Sequence, residues 1–213
     1  MLETHQARSR RPVGLFVGAV AFHMFVYYGT QLINNGFGRT YYNLAIPLDD
    51  MIPFVPAFVS FYILAYIQWG LTYLFLFFRD PELFRRAAWA TIFSEIVVLV
   101  FFLALPTRIT WPDASGDGFF LWLTRIIYSS DEPTNLFPSL HCLQSWICWR
   151  AMRKHPGFPR WASALHLIFT LLVCASTVFI KQHYFLDIPF GILFAELGWQ
   201  LVRLLVRRRE AAQ

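Results

Sequence analysis

Charge is absent from long stretches of this chain and concentrated in short bursts between them. Residues 12–38 contain no Asp, Glu, Lys or Arg, and neither do residues 51–78. Crossing roughly 30 Å of hydrocarbon takes about 20 predominantly apolar residues in a helix, so both stretches are long enough. The pattern predicts six transmembrane helices, over 13–32, 52–78, 87–105, 138–152, 161–180 and 188–202. Arg8, Arg10 and Arg11 precede the first as they would a signal peptide. Its apolar run exceeds the roughly 7–15 residues of such a peptide's core, and it reads as a retained span. A further apolar stretch, 119–128, covers only about 15 Å as a helix. It is predicted to be an interfacial or re-entrant helix in the loop between the third and fourth spans. The expected fold class is all-α: one polytopic membrane domain over 1–213, with basic tails at 1–12 and 203–213.

Composition sharpens this picture. The chain is 57% hydrophobic and 15% charged, against about 25% charged in soluble domains, so a water-facing surface and intrinsic disorder are both excluded. Fourteen of the 18 Lys and Arg residues fall in the two tails and the 79–86 and 150–160 loops. Only Arg39, Arg108, Arg125 and Lys181 fall on the other side. This asymmetry makes the termini cytoplasmic and turns the loops near 41–50, 107–137 and 181–187 outward. The net charge of +5 belongs to span ends that meet anionic lipid, and implies no nucleic-acid partner. Cys142, Cys148 and Cys174 all lie within predicted spans, so no structural disulfide and no zinc-type site is expected.

The candidate chemistry sits in the outward loops, of which the first looks ordinary. In the second, Pro138 suits the first turn of the fourth span, with Asn135 upstream as its cap. Ser139 and His141 then occupy an opening turn whose free amides and partial positive charge favour a phosphate. In the third, His183 and Asp187 are spaced i, i+4 and can hydrogen-bond on one helix face. A carboxylate on one imidazole nitrogen fixes the tautomer and frees the other nitrogen to attack. Lys181 and Arg108 add cations at the same membrane level. His23 and His166 read as core residues. Glu95 and Glu196 are intramembrane carboxylates, expected to hydrogen-bond Ser, Tyr or Trp on neighbouring helices.

Pro138-Ser139-Leu140-His141 resembles the P-S-x-H motif of the type 2 phosphatidic acid phosphatase superfamily. Ser176-(x6)-His183-(x3)-Asp187 is similar to its third motif, S-R-x5-H-x3-D. The branch most resembled contains bacterial lipid phosphatases and inositol phosphorylceramide synthases, and the resemblance covers nearly the whole chain. It implies a lipid phosphate substrate, His183 as nucleophile, Asp187 as its partner and His141 as general acid and base. It also implies phosphate binding by Ser139, Lys181 and Arg108, with no metal or organic cofactor. The setting it suggests is a bacterial inner membrane, with the site facing the periplasm or exterior. Two departures stand out. The third-motif arginine is Thr177 here, with Lys181 as a candidate replacement. The first motif, K-x6-R-P, has no clean match, although Arg108 and Trp111-Pro112 lie in the right region.

Water as acceptor makes such an enzyme a phosphatase; an alcohol makes it a headgroup phosphotransferase. A lipid transporter, suggested by Glu95 and Glu196, and a non-catalytic scaffold, suggested by Thr177, are the readings of another class.

Overall fold

The computed structural model describes residues 11–212. Arg8 and Arg10 of the N-terminal tail lie outside the described residues. The first helical rod runs as α1 (Val13–Met24), a π-turn (Phe25–Gly29) and α2 (Thr30–Gly36). A short helix, α3 (Pro47–Met51), and a 3-10 turn (Pro56–Phe58) lead into α4 (Val59–Arg79). Then follow α5 (Pro81–Ala104), α6 (Phe119–Ser130), α7 (Leu140–Met152), α8 (Arg160–Phe179) and α9 (Asp187–Ala211). No strand occurs among the described residues; two isolated backbone bridges join loops instead.

Among the described residues, five helical segments are long and apolar enough to cross a membrane: Val13–Gly36, Pro56–Arg79, Pro81–Ala104, Arg160–Phe179 and Asp187–Ala211. The sixth expected span corresponds to α7, which has 13 residues and therefore covers only about 20 Å. It is the central helix, packed by α4, α5, α8 and α9 and buried along ten of its positions. Because protein surrounds it, it need not satisfy lipid on its own.

Packing follows the logic of a bilayer, where small residues bring helices close and polar residues turn inward. On α4, Val59, Tyr62, Ala65, Gln68, Thr72 and Leu76 make a buried stripe at helical spacing. Leu64, Ile67, Leu71 and Leu74 face outward. A β-carbon on Gly198 of α9 would lie 2.6 Å from the Ala90 carbonyl oxygen of α5. One on Gly191 would lie 2.7 Å from the Ser139 carbonyl oxygen. These two glycines let α9 lie directly on α5 and on the first turn of α7.

Asp80 caps α5 by accepting from the Leu83 N–H, and Pro81 needs no partner at the first helical position. At this end of the bundle Arg11 lies over the Phe78 ring and His155 approaches Asp80. The loops bearing the candidate site gather at the opposite end. There the Thr107 hydroxyl accepts from the Leu136 and Phe137 amides, and Arg108 and Thr134 form a bridge. Helix α6 lies over the same end, with Leu123 and Ile127 packed on Val59, Tyr62 and Ile180.

The first outward connection is not the ordinary loop its sequence suggests. Buried Asp49 accepts from the Phe185 amide at 2.7 Å, tying α3 to the loop that carries His183.

Candidate active site

The turn after α8 is built on one carbonyl. Thr177 O accepts from both Gln182 N (2.9 Å) and His183 N (3.0 Å), so the chain reverses above the helix end. The Thr177 hydroxyl bonds back to Cys174 O within its own helix. The position where the family motif has arginine therefore holds the turn together. Lys181 takes the left-handed backbone conformation that closes it, at φ +54°.

His183 lies just beyond. Its Nδ1 is 3.0 Å from Asp187 Oδ2 and 3.0 Å from Leu136 O. A backbone carbonyl only accepts, so Nδ1 carries the proton and shares it between the two oxygens. Nε2 is left without a hydrogen-bond partner among the described residues. Asp187 Oδ2 also accepts from Tyr184 N at 3.0 Å, which fixes the carboxylate at the start of α9. Burial alone pushes the His183 imidazolium down, but hydrogen bonding to Asp187 and its charge outweigh that and raise its pKa above the ordinary 6.5.

His141 reaches the same cleft from the first turn of α7. Its ring stacks on Tyr62 at 3.9 Å and lies 6.3 Å from the His183 ring, centroid to centroid. Its Nε2 is buried with no partner. The cleft has an empty volume of about 300 Å³; besides the two histidines, Tyr27, Tyr62, Asp131, Asn135 and Gln182 line it. It opens beside a second, polar hollow that shares Asp131 and Glu132. The Tyr27 hydroxyl donates to Asp131, whose carboxyl is raised chiefly by burial.

Helix α7 begins at Leu140, two residues later than its sequence suggests. Ser139, not Asn135, is the N-cap, its hydroxyl accepting from Cys142 N. Asn135 instead donates to Tyr27 O and to the Thr30 hydroxyl, pinning the loop to the first rod. Pro138 precedes the cap, outside the helix. The Ser139 amide donates to Asp187 O at 3.2 Å, joining α7 to the His183 turn.

The two expected cations are not brought to the histidines. The Lys181 ammonium donates to Asp49 O (2.9 Å) and Ile52 O (2.5 Å), capping the end of α3. The Arg108 guanidinium lies over the Tyr41 ring at 4.6 Å, exposed at the rim. Gln182, which no sequence motif singles out, is in the cleft instead. It is 2% exposed and its Nε2 has no partner. The available signal was a lone amide directly before the motif histidine.

The intramembrane carboxylates are structural partners of neighbouring helices. Glu196 accepts from Trp146 Nε1 and from Arg150 Nε. Glu95 differs from expectation, bonding His23 at 2.6 Å and Gln144 at 2.9 Å. The three cysteines are free and buried.

Two imidazoles across a narrow cleft, one oriented by a carboxylate, form a set able to take up and release a phosphoryl group. Neither curated proteins nor solved structures match this chain. The family model of the PAP2 superfamily matches residues 47–201, from α3 to well within α9 and including both histidine motifs. With its five apolar helices of membrane-crossing length, the chain is a membrane protein of the PAP2 superfamily, a family of phosphatase-type enzymes.

Proposed function

We propose that this protein hydrolyses a lipid phosphate monoester or diphosphate at the non-cytoplasmic face of the membrane, through a phosphohistidine on His183. The observation that carries this reading is the double hydrogen bond to His183 Nδ1, which leaves Nε2 bare beside His141. In the first step Nε2 attacks phosphorus in line, the N–P bond forms and the bond to the lipid oxygen breaks. His141 protonates that departing oxygen. In the second step His141 takes a proton from water, which attacks phosphorus and displaces His183 Nε2. Asp187 stabilises the positive charge on the His183 ring throughout.

The phosphate oxygens are held by the Gln182 amide and by the Leu140 and His141 backbone N–H groups in the first turn of α7. Ser139 supports that turn as its cap. Arg108 supplies the cation from the rim by leaving the Tyr41 ring, whereas Lys181 holds the loop. The charge asymmetry supports cytoplasmic termini and a site on the non-cytoplasmic face; the family resemblance suggests a bacterial inner membrane, with that face toward the periplasm or exterior.

The experiment is a panel of lipid phosphates given to the purified protein, following free phosphate and new lipid products with and without alcohol acceptors. Phosphate release that His183→Ala abolishes supports the reading. Phosphoryl transfer to the alcohols in place of release moves the assignment to the headgroup phosphotransferase. Turnover that survives His183→Ala refutes the covalent route.

A further inference from the structure

Below the catalytic cleft, a larger cavity opens sideways between α1, α4, α5 and α7, with an empty volume of about 840 Å³. Its walls are apolar side chains such as Phe16, Val20 and Met24, and the latter two are exposed on the outer surface of α1. In a bilayer this mouth faces lipid. The groove and the catalytic cleft share no lining residue, but the wall between them is one aromatic layer thick. Tyr66 and Trp69 line the groove, and their rings lie 5.3 and 5.0 Å from His141.

A wall for a hydrocarbon chain needs no polar atoms, yet this one has a polar node. His23 lines the groove and its Nδ1 meets Glu95 Oε1 at 2.6 Å. Gln144, also in the wall, donates to the same oxygen at 2.9 Å. Glu95 is fully buried, and its Oε2 has no partner. A buried carboxylate in hydrocarbon is costly, and nothing about holding an alkyl chain requires it. Glu95 instead fixes the His23 ring. With Nδ1 committed, Nε2 is the free nitrogen, and the side chain retains 20% exposure to the groove. A neutral ring accepts there from a hydroxyl or amide N–H; a protonated ring donates to a carbonyl oxygen.

The depth of the node is informative. Gln144 follows His141 by three residues on α7, about 4.5 Å along the helix, and His23 precedes Tyr27 by four, about 6 Å. A phosphoryl group held between His141 and His183 therefore has, one helical turn below it, the polar linkage of an acylated lipid. That linkage is an ester, amide or hydroxyl a few bonds from phosphorus. Simple alkyl and isoprenyl phosphates carry no hydrogen-bonding group at that depth.

Building on the lipid phosphatase reading, we propose that the groove takes the hydrophobic part of the substrate and that His23, oriented by Glu95, hydrogen-bonds the ester, amide or hydroxyl of an acylated lipid phosphate. His23 is a specificity-determining residue in this account, and the preferred substrates are acylated lipid phosphates.

The test compares kcat/KM for a diacylglycerol phosphate, a ceramide phosphate and hexadecyl phosphate, which lacks the linkage. His23→Phe is expected to lose about tenfold more on the linkage-bearing lipids than on hexadecyl phosphate, the effect of one hydrogen bond. Selective loss on the diacylglycerol phosphate assigns an ester, and on the ceramide phosphate an amide or hydroxyl. His23→Gln, which keeps a polar group, is expected to restore part of the preference. The double variant His23→Phe/Glu95→Gln covers the case in which a stranded carboxylate unfolds the single one.

Gly70 lines the groove with open space where a β-carbon would sit. Gly70→Leu should therefore depress all three long-chain substrates relative to nitrophenyl phosphate. Equal losses in His23→Phe on all three lipids, or no loss, overturn the linkage site; no effect of Gly70→Leu overturns the groove. Should wild-type protein turn over none of these three monoesters, their hydrolysis is refuted and binding decides the groove separately. Native mass spectrometry should then show the diacylglycerol phosphate retained over hexadecyl phosphate, a preference lost in His23→Phe. Equal retention by the wild type overturns the proposal.

Discussion

Asp187→Asn keeps the shape of the His183 partner and removes its charge, so it isolates what the carboxylate contributes to the reaction. At the observed 3.0 Å and an effective dielectric of about 20, a full ion pair is worth about 5–6 kcal/mol. The asparagine oxygen still accepts from Nδ1, retaining about 1 kcal/mol of neutral hydrogen bond. The difference, about 4 kcal/mol, corresponds to a rate loss of about 10³-fold at about 1.4 kcal/mol per decade. A second signature follows from His183, whose pKa lies above 6.5 because hydrogen bonding to Asp187 and its charge overcome the opposing effect of burial. The nucleophile is the neutral ring, so wild-type kcat/KM should fall on the acid side through a limb above pH 6.5. In Asp187→Asn burial acts with less opposition, and that limb should move to lower pH. Stability has the matching sign. The contribution of the pair is complete below pH 6.5 and is lost as pH rises through the higher folded value. The assay is a pH series of kcat/KM on a lipid phosphate for both proteins, with folding checked by thermal melting. A variant within about threefold of wild type, with the acid limb unmoved, would refute the imidazolium partnership and make Asp187 a purely structural cap.

Lys181→Ala removes two of the bonds that hold α3 to the His183 turn and leaves the one from Phe185 N to Asp49. Thermal melting in detergent should show a loss of about 1–3 kcal/mol, with KM less affected than for Gln182→Ala; the reverse order would return Lys181 to phosphate binding. Gly191→Ala places a methyl group 2.7 Å from Ser139 O. Moving α9 away from α7 displaces Asp187 relative to His141, and a shift of about 1 Å should cost about 10²-fold in kcat; full activity would show that the α7–α9 approach does not set the site. Thiol labels should reach a cysteine placed beside Asp131 from outside intact cells and should not reach one at Lys154. The opposite pattern would invert the topology.

The long helices are legible in the sequence because hydrocarbon imposes a length and forbids charge, and those two constraints leave five unmistakable apolar runs. Helix α7 is less so: enclosed by protein, it is freed from the length rule, and its start is set by the Ser139 cap. His183 and Asp187 do meet, though not on one helix face: His183 lies in the turn before α9, whose first residue is Asp187, and that short turn folds the ring back onto the carboxylate. The direction of long cationic side chains has no local rule. Lys181 follows the carbonyls of residues 49 and 52, and Arg108 follows the Tyr41 ring, both decided by distant loops. Asp49 is hidden for the same reason, since its partner Phe185 lies far along the chain. Glu196 finds a tryptophan, as intramembrane carboxylates are expected to find uncharged donors, and adds Arg150. Glu95 finds His23, which a lone apolar-helix histidine gives no reason to expect.

The most direct test of the central claim is to trap the intermediate. Labelled substrate is mixed with wild type, His183→Ala and His141→Ala, quenched in alkali to preserve an N–P bond, and the protein is examined for label. His141→Ala should still be phosphorylated by nitrophenyl phosphate, whose leaving group departs without a proton, and should accumulate label because no base activates water. On a lipid phosphate the same variant should fail at the first step. Label mapped to His183, enriched in His141→Ala and absent from His183→Ala, is the result this account predicts. Equal losses on both substrates with no label in any protein would contradict it, and direct attack by water would take the place of the phosphohistidine.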